Sequence, residues 1–327
     1  MSCGPISGGS TYSRRSMTSN EEAVALAELA ESREEGLGVG STPAKDASLF
    51  LRVASAIVFL PLLVLMARIG GLVYLGFTLI MIGLALREFY QMMASKGLAP
   101  HWKSGFSAAL LFPVGIYVRL RTHRTEEWHL AGLFTVLLVA MLLAELRRGA
   151  SKQTLVNASS TVLGVLYIGW LGAHVCALRE LPWSLGLPYS LGMSFALLPF
   201  FLAWTCDTAA YAVGRVWGRH RLAPGVSPQK SVEGAVGGLL AAIAAGAVAR
   251  VWFAPYLSWP SALVLGGLVG VFAQLGDLVE SLLKRDAEAK ESSSLIPGHG
   301  GVLDRFDSLL FAAPLVYYYL VWQVLGR

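Results

Sequence analysis

From Leu49 onward, runs of about 20 mostly apolar residues alternate with short charged loops. A helix needs a run of that length to cross the hydrocarbon core of a bilayer. The runs predict helices at 49–67, 70–87, 104–120, 129–146, 155–178, 190–214, 234–254, 260–283 and 308–325. The expected fold is an all-α, polytopic integral membrane protein with about nine transmembrane helices. The first two runs meet tightly at Arg68-Ile-Gly-Gly71, where a re-entrant hairpin is the alternative. Composition agrees: 55% of residues are hydrophobic and 14% charged, against roughly a quarter charged in soluble domains.

In such a chain the net charge of +5 is read loop by loop, because positive residues mark the cytoplasmic side. It is not a nucleic-acid signal. The loops after the second, fourth, sixth and eighth runs are basic, through Arg87, Lys96 and Lys103; Arg147, Arg148 and Lys152; Arg215, Arg219, Arg221 and Lys230; and Lys284, Arg285, Lys290 and Arg305. The alternate loops are poorer, except one carrying Arg119, Arg121 and Arg124. Both motif-rich loops and the N-terminus are therefore expected in the cytoplasm. Residues 1–47 read as a disordered cytoplasmic tail, with Ser, Gly and Thr first and then a glutamate-rich stretch. Residues 48–180 read as scaffold helices and 181–327 as the catalytic region, because the polar chemistry lies in the last ~130 residues. Cys3, Cys176 and Cys206 are far apart and indicate neither a disulfide framework nor a zinc site.

Four constellations interrupt the apolar pattern. Asp207 lies inside an apolar run, where a carboxylate must be paired, solvated, protonated or metal-bound. It is either a substrate or metal contact or the partner of a cation such as Arg215. Ser227-Pro-Gln-Lys-Ser-Val-Glu-Gly234 predicts a turn and a helix start. There Ser227, Lys230 and Ser231 could hold phosphate. Alternatively Lys230 reaches lipid headgroups and Glu233 caps the helix. Asp277, Glu280, Ser281 and Lys284 share one helical face, with a simple Glu280–Lys284 pair as the bland alternative. The stretch Pro297-Gly-His-Gly-Gly-Val-Leu-Asp304-Arg-Phe-Asp307 adds glycines that permit close backbone approach, and two carboxylates three residues apart. Asp277 and Asp304 come from adjacent helices and could clamp a divalent ion, for which magnesium is best suited.

At these residues the chain resembles the phosphatidate cytidylyltransferases, also called CDP-diacylglycerol synthases. The resemblance rests on Ser281-Leu-Leu-Lys-Arg285, Lys290 and His299-Gly-Gly-Val-Leu-Asp-Arg-Phe-Asp307. Asp207-Thr-Ala-Ala-Tyr211 and Ser227–Gly234 resemble further family segments. It is specific over about 204–314 and topological before that. One departure is Glu291, where the family usually has aspartate; the neighbouring Ser292-Ser-Ser is also atypical. The resemblance implies transfer of CMP from CTP to phosphatidate, giving CDP-diacylglycerol and pyrophosphate. It implies magnesium at Asp277 and Asp304, with potassium as a second candidate ion beside it. Lys284, Arg285, Arg305 and Asp307 are then the expected catalytic groups. Asp207, Ser227, Lys230, Ser231, Glu233, Glu280, Ser281, Lys290, His299, Gly300 and Gly301 are expected to bind substrate. A homodimer in a bacterial inner membrane, with the site facing the cytoplasm, completes the expectation.

Two rivals follow from the same residues. A CTP-dependent lipid kinase, or a cytidylyltransferase for another lipid phosphate, would use similar donors. A cation or metabolite transporter could line a path with Asp207 and Asp277. The polar groups cluster near one face, and no pair of broken helices repeats in two halves, which argues against transport.

Overall fold

The structure, a computed structural model, describes residues 59–122, 128–149, 151–289, 292–293 and 300–325. The tail, Lys290, Glu291 and His299 lie outside the described residues.

Helices form in each apolar run. They are α1 (Phe59–Ile69), α2 (Gly71–Ser95), α3 (Trp102–Arg121), α4 (Trp128–Arg148), α5 (Thr154–Gly164) and α6 (Leu171–Ser184). There follow α7 (Leu191–Trp217), α8 (Val232–Trp252), α9 (Trp259–Asp286) and α10 (Leu303–Leu325). A π-helical turn, Val165–Trp170, joins α5 to α6 in one continuous helix. Among the described residues five helices are long and apolar enough to cross a membrane: α2, the continuous Thr154–Ser184 helix, α7, α8 and α9. We therefore read the chain as an α-helical, multi-pass membrane protein.

Two helices run past their expected ends because the charges there are satisfied internally. The second run was expected to stop at Arg87, but α2 continues through buried Glu88 to Ser95. The fifth was expected to stop at 178, but α6 carries buried Arg179 and Glu180. The segment 227–231, expected as a turn, is a strand. β2 (Ser227–Ser231) pairs antiparallel with β1 (Arg221–Ala223) around Pro224-Gly225, a two-stranded hairpin in an otherwise helical fold among the described residues. Helix α8 follows at once, with Ser231 Oγ accepting from Gly234 N at 3.1 Å as its N-cap.

Ion pairs and hydrogen bonds gather the loops at two ends. At one end Lys96 pairs with Asp286, and Arg148 Nη1 donates to Ala99 O at 2.5 Å. There too Arg285 Nε donates to Val226 O at 3.2 Å, tying the hairpin to α9. At the other end Glu180 Oε1 accepts from Gly71 N (3.0 Å) and Tyr189 Oη (2.9 Å), and its Oε2 pairs with Arg121 Nε at 3.2 Å. Burial, and then the bond to Glu180, raise the Tyr189 hydroxyl above its ordinary pKa. Arg121 also lies over the rings of Trp183 and Tyr189, 5.2 and 5.0 Å from their centroids. Arg121, one of the basic residues that broke the charge pattern, is thus paired within the fold. Arg179 Nε donates to Ala67 O at 2.5 Å, locking the break between α1 and α2. The break itself needs Gly70, whose φ is 68° and whose missing Cβ leaves room for the Arg179 guanidinium.

Without a hydrophobic drive between helices in lipid, small residues let backbones approach and pack. A Cβ on Gly246 of α8 would lie 2.2 Å from Ala262 O of α9. Aromatic packing fixes the start of α10: Phe306 meets the rings of Phe59, Phe77 and Phe200 at 6.1, 6.4 and 6.3 Å.

Candidate active site

The last two turns of α9 present Asp277, Glu280, Ser281 and Lys284 on one face, as their spacing of three and four requires. Helix α10 enters beside them, so that Asp304 and Asp307 sit in its first turns. Gly276 permits this approach: a Cβ there would come 2.8 Å from Asp307 O and 3.1 Å from the Phe311 ring. Three carboxylates consequently converge. Oxygens of Asp277, Glu280 and Asp307 lie within 4.8 Å of one another. Glu280 is fully buried and Asp307 nearly so. Neither Glu280 oxygen has a well-formed hydrogen bond among the described residues, although Lys284 Nζ is 2.5 Å from Oε2. Asp307 Oδ1 accepts from Ser308 N at 2.6 Å. A buried carboxylate so incompletely satisfied as Glu280, with two more beside it, suits a hard divalent cation, which takes oxygen ligands.

Asp304 stands beside this cluster with both oxygens engaged. Its Oδ1 meets Lys284 Nζ at 2.6 Å. Its Oδ2 accepts from Gly301 N (2.8 Å), Ser292 Oγ (2.9 Å) and Ser292 N (3.1 Å). Lys284 therefore bridges Glu280 and Asp304. Gly300 has a φ of 74°, and a Cβ on it would press on Asp304 Oδ2.

A cavity of about 550 Å³ opens next to the cluster, with α7, the hairpin, α8 and α9 around it. That size falls in the range of small-molecule sites. Its wall carries Arg215, Arg221 and Lys230, and its carboxylates are Asp207 and Asp277. Lys230 Nζ meets Asp277 Oδ2 at 2.7 Å, so the cavity and the acidic cluster share one residue. Ser227 and Ser231 also line it. Arg215 Nη1 donates to Tyr211 Oη at 3.3 Å, and no ion pair joins it to Asp207 among the described residues. Glu233 reaches back to the end of α7, accepting from Arg219 N at 3.1 Å and pairing with His220 Nδ1 at 2.6 Å. Ser281 Oγ makes only a long contact of 3.5 Å to Asp277 Oδ1. Arg285 holds the hairpin, and Arg305 is exposed at the start of α10.

Sequence reasoning missed Glu88. From α2 its carboxylate accepts four hydrogen bonds around the motif loop. The donors are Ser293 Oγ (2.6 Å), Leu303 N (2.8 Å), Val302 N (2.9 Å) and Ser292 Oγ (3.0 Å). A carboxylate at a helix N-terminus satisfies the otherwise orphaned donors of its first turn. The sequence signal was a glutamate directly after an apolar run, which reads as a loop residue.

A bare acidic cluster beside a basic cavity fits many phosphate enzymes, and the whole-chain similarities narrow the choice. The sequence matches the cytidylyltransferase family over residues 50–322. A phosphatidate cytidylyltransferase from Synechocystis is 35% identical over 293 residues, covering 83% of this chain and 96% of that protein. Those of Staphylococcus saprophyticus and Staphylococcus aureus strain COL are each 31% identical, over 272 and 278 residues, covering 82% of this chain and 96% of theirs. The motif residues that line the cavity and cluster lie inside the matched span, and on that ground the chain belongs to the cytidylyltransferase family.

Proposed function

We propose that the protein is a phosphatidate cytidylyltransferase that makes CDP-diacylglycerol and pyrophosphate from CTP and phosphatidate. The observation that carries the reading is the Asp277–Glu280–Asp307 cluster opening, at Asp277, onto a cavity walled by Arg215, Arg221 and Lys230. The residues fit a divalent cation, magnesium before others, held by Asp277, Glu280 and Asp307. When bound, such an ion offsets triphosphate charge and the charge that builds on departing pyrophosphate. Asp304, occupied by Lys284 and by Ser292 and Gly301, holds that lysine and the loop in place.

The nucleophile is a phosphate oxygen of phosphatidate. With a second pKa near 6 it is largely ionised at neutral pH, so no base is needed to activate it. This oxygen forms a bond to the α-phosphorus of CTP, and the bond from that phosphorus to the β-phosphate bridging oxygen breaks. The protein's task is to bring two polyanions together in line. Lys230 and Lys284 are placed for this, each beside a carboxylate that orients it. Ser227 and Ser231 offer hydroxyls to phosphate from the cavity wall. Phosphatidate would reach the site sideways, with its acyl chains still in the bilayer.

Nine crossings, a bacterial inner membrane and a cytoplasmic site are part of this proposal. In support, the contacts Lys96–Asp286, Arg148–Ala99 and Arg285–Val226 gather the basic loops at the end of the molecule where the cluster lies. A homodimer, expected from the family, is checked by cross-linking in native membranes. Enzyme and transporter readings separate with CTP labelled in its γ-phosphate. Phosphatidate-dependent release of labelled pyrophosphate is expected from detergent-solubilised protein. Uptake into sealed vesicles with no release would overturn the enzyme reading.

A further inference from the structure

The Ser292-Ser-Ser run, atypical of the resembled family, has no part in the transfer described above. Its first member is buried where the loop, α2 and α10 meet. Ser292 Oγ lies 3.0 Å from Glu88 Oε2 of α2 and 2.9 Å from Asp304 Oδ2 of α10. Its backbone N–H donates to the same Asp304 oxygen at 3.1 Å. A hydroxyl carries one proton, so it donates to one carboxylate at a time. Each of the two oxygens also has a backbone donor of its own. Leu303 N reaches Glu88 Oε2, and Gly301 N reaches Asp304 Oδ2, both at 2.8 Å. Two carboxylates from distant parts of the chain are thereby held against one side chain. The junction also accounts for Gly301, which was expected to bind substrate. A Cβ there would overlap Ser292 Oγ and Glu88 Oε2, so a larger residue would force the junction apart. On its far side, Asp304 Oδ1 meets Lys284 Nζ at 2.6 Å, and that nitrogen is 2.5 Å from Glu280 Oε2. A continuous chain of contacts thus runs from Glu88 through Ser292, Asp304 and Lys284 to Glu280.

We infer that Ser292 is a positioning residue for CMP transfer: it joins α2 to Asp304 and so fixes where Lys284 stands. This rests on the cytidylyltransferase reading, in which Lys284 helps to bring two polyanions into line. With the Ser292 hydroxyl and amide and the Gly301 amide around it, the Asp304 carboxylate has one orientation to offer the lysine. Without the hydroxyl that carboxylate can rotate, and Lys284 follows it. A misplacement of about 1 Å can cost about 100-fold in rate. The N-terminal helices then do more than enclose the site, because α2 reaches the lysine through one serine.

The test compares Ser292→Ala with Ser293→Ala. Each removes a hydroxyl donor from Glu88, since Ser293 Oγ reaches Glu88 Oε1 at 2.6 Å; Ser292 in addition holds Asp304. Purified full-length protein is assayed for CDP-diacylglycerol from CTP and phosphatidate, with turnover counted per folded molecule and thermal unfolding followed alongside. Ser292→Ala should lower kcat roughly 10- to 100-fold, with KM for CTP and for phosphatidate unchanged, because the lost interaction acts in the transition state. Ser293→Ala should lose melting temperature to a similar extent and keep its kcat. Ser292→Cys, of similar size but a weak donor, is the second variant should Ser292→Ala not fold, and its kcat should fall between alanine and serine. Wild-type kcat in the Ser292 variants, equal loss of kcat at both positions, or a rise in KM with kcat intact would each overturn the role of Ser292 and leave the enzyme reading standing. If wild-type protein forms no CDP-diacylglycerol, the enzyme reading falls and takes this inference with it.

Discussion

At the residue scale, the site is a set of carboxylates distinguished by what already satisfies them. Glu280 is fully buried, with Lys284 as its ion-pair partner among the described residues, whereas Asp304 accepts from four donors. The proposed metal-holding role of Glu280 and the loop-holding role of Asp304 therefore separate. Asp277→Asn and Asp307→Asn should each lower turnover about 100-fold or more, the scale of losing several kcal/mol of charge stabilisation. The variants should still insert, as membrane extraction followed by size-exclusion chromatography will show. Glu88 makes a different prediction, because it accepts from two backbone amides and two serines. Glu88→Ala should destabilise the protein, at about 1–3 kcal/mol for each buried donor left unpaired. Glu88→Gln should fold better but still lose turnover, since it cannot accept four bonds as a carboxylate does. Thermal unfolding beside a turnover assay checks both. If Glu88→Gln were as active as wild type, the loop would not depend on that carboxylate.

At the element scale, the approach of α9 to α10 builds the cluster, and Gly276 sets it. Gly276→Ala puts a methyl 2.8 Å from Asp307 O, an overpacking of about 1–3 kcal/mol. Gly246→Ala strains the α8–α9 contact in the same way, away from the cluster. Both variants should lose stability, but only Gly276→Ala should lose most of its turnover per folded molecule. Equal activity in the two would mean that helix spacing at Asp307 is not what holds the site together. The existence of these helices was legible because hydropathy alone dictates it: each apolar run became a helix. Their ends were not. The window that closed at Arg87 assigned Glu88 to a loop, because a charge in an apolar run looks unsatisfied until its distant partners Ser292, Ser293, Val302 and Leu303 are known. The strand over 227–231 was hidden because it pairs with only three residues across a Pro-Gly turn. The motif residues 277–307 could be read because polar groups are costly in that setting and so few are present.

At the scale of the whole molecule, the polar groups divide between two ends. One end holds the acidic cluster, the hairpin and the basic loops. The other holds the Arg179–Glu180–Tyr189–Arg121 network, which ties the start of α2 to the ends of α3 and α6. In the proposed topology the basic loops put the first end on the cytoplasmic side. A cysteine introduced at exposed Gln229, in a Cys3→Ser background where the buried Cys176 and Cys206 remain, should react with an impermeant maleimide in inside-out vesicles and not in right-side-out ones, with the Cys3→Ser protein as the unlabelled control. Labelling from the opposite side would invert the topology. The chemistry itself is tested most directly by product formation. Purified protein in detergent is given phosphatidate and cytidine-labelled CTP, with magnesium or with chelator, and the lipid fraction is analysed. Labelled CDP-diacylglycerol should form only with both phosphatidate and magnesium, and should vanish in Asp277→Asn. Undiminished product in chelator, or in Asp277→Asn, would contradict a cation-dependent transfer at the Asp277–Glu280–Asp307 cluster.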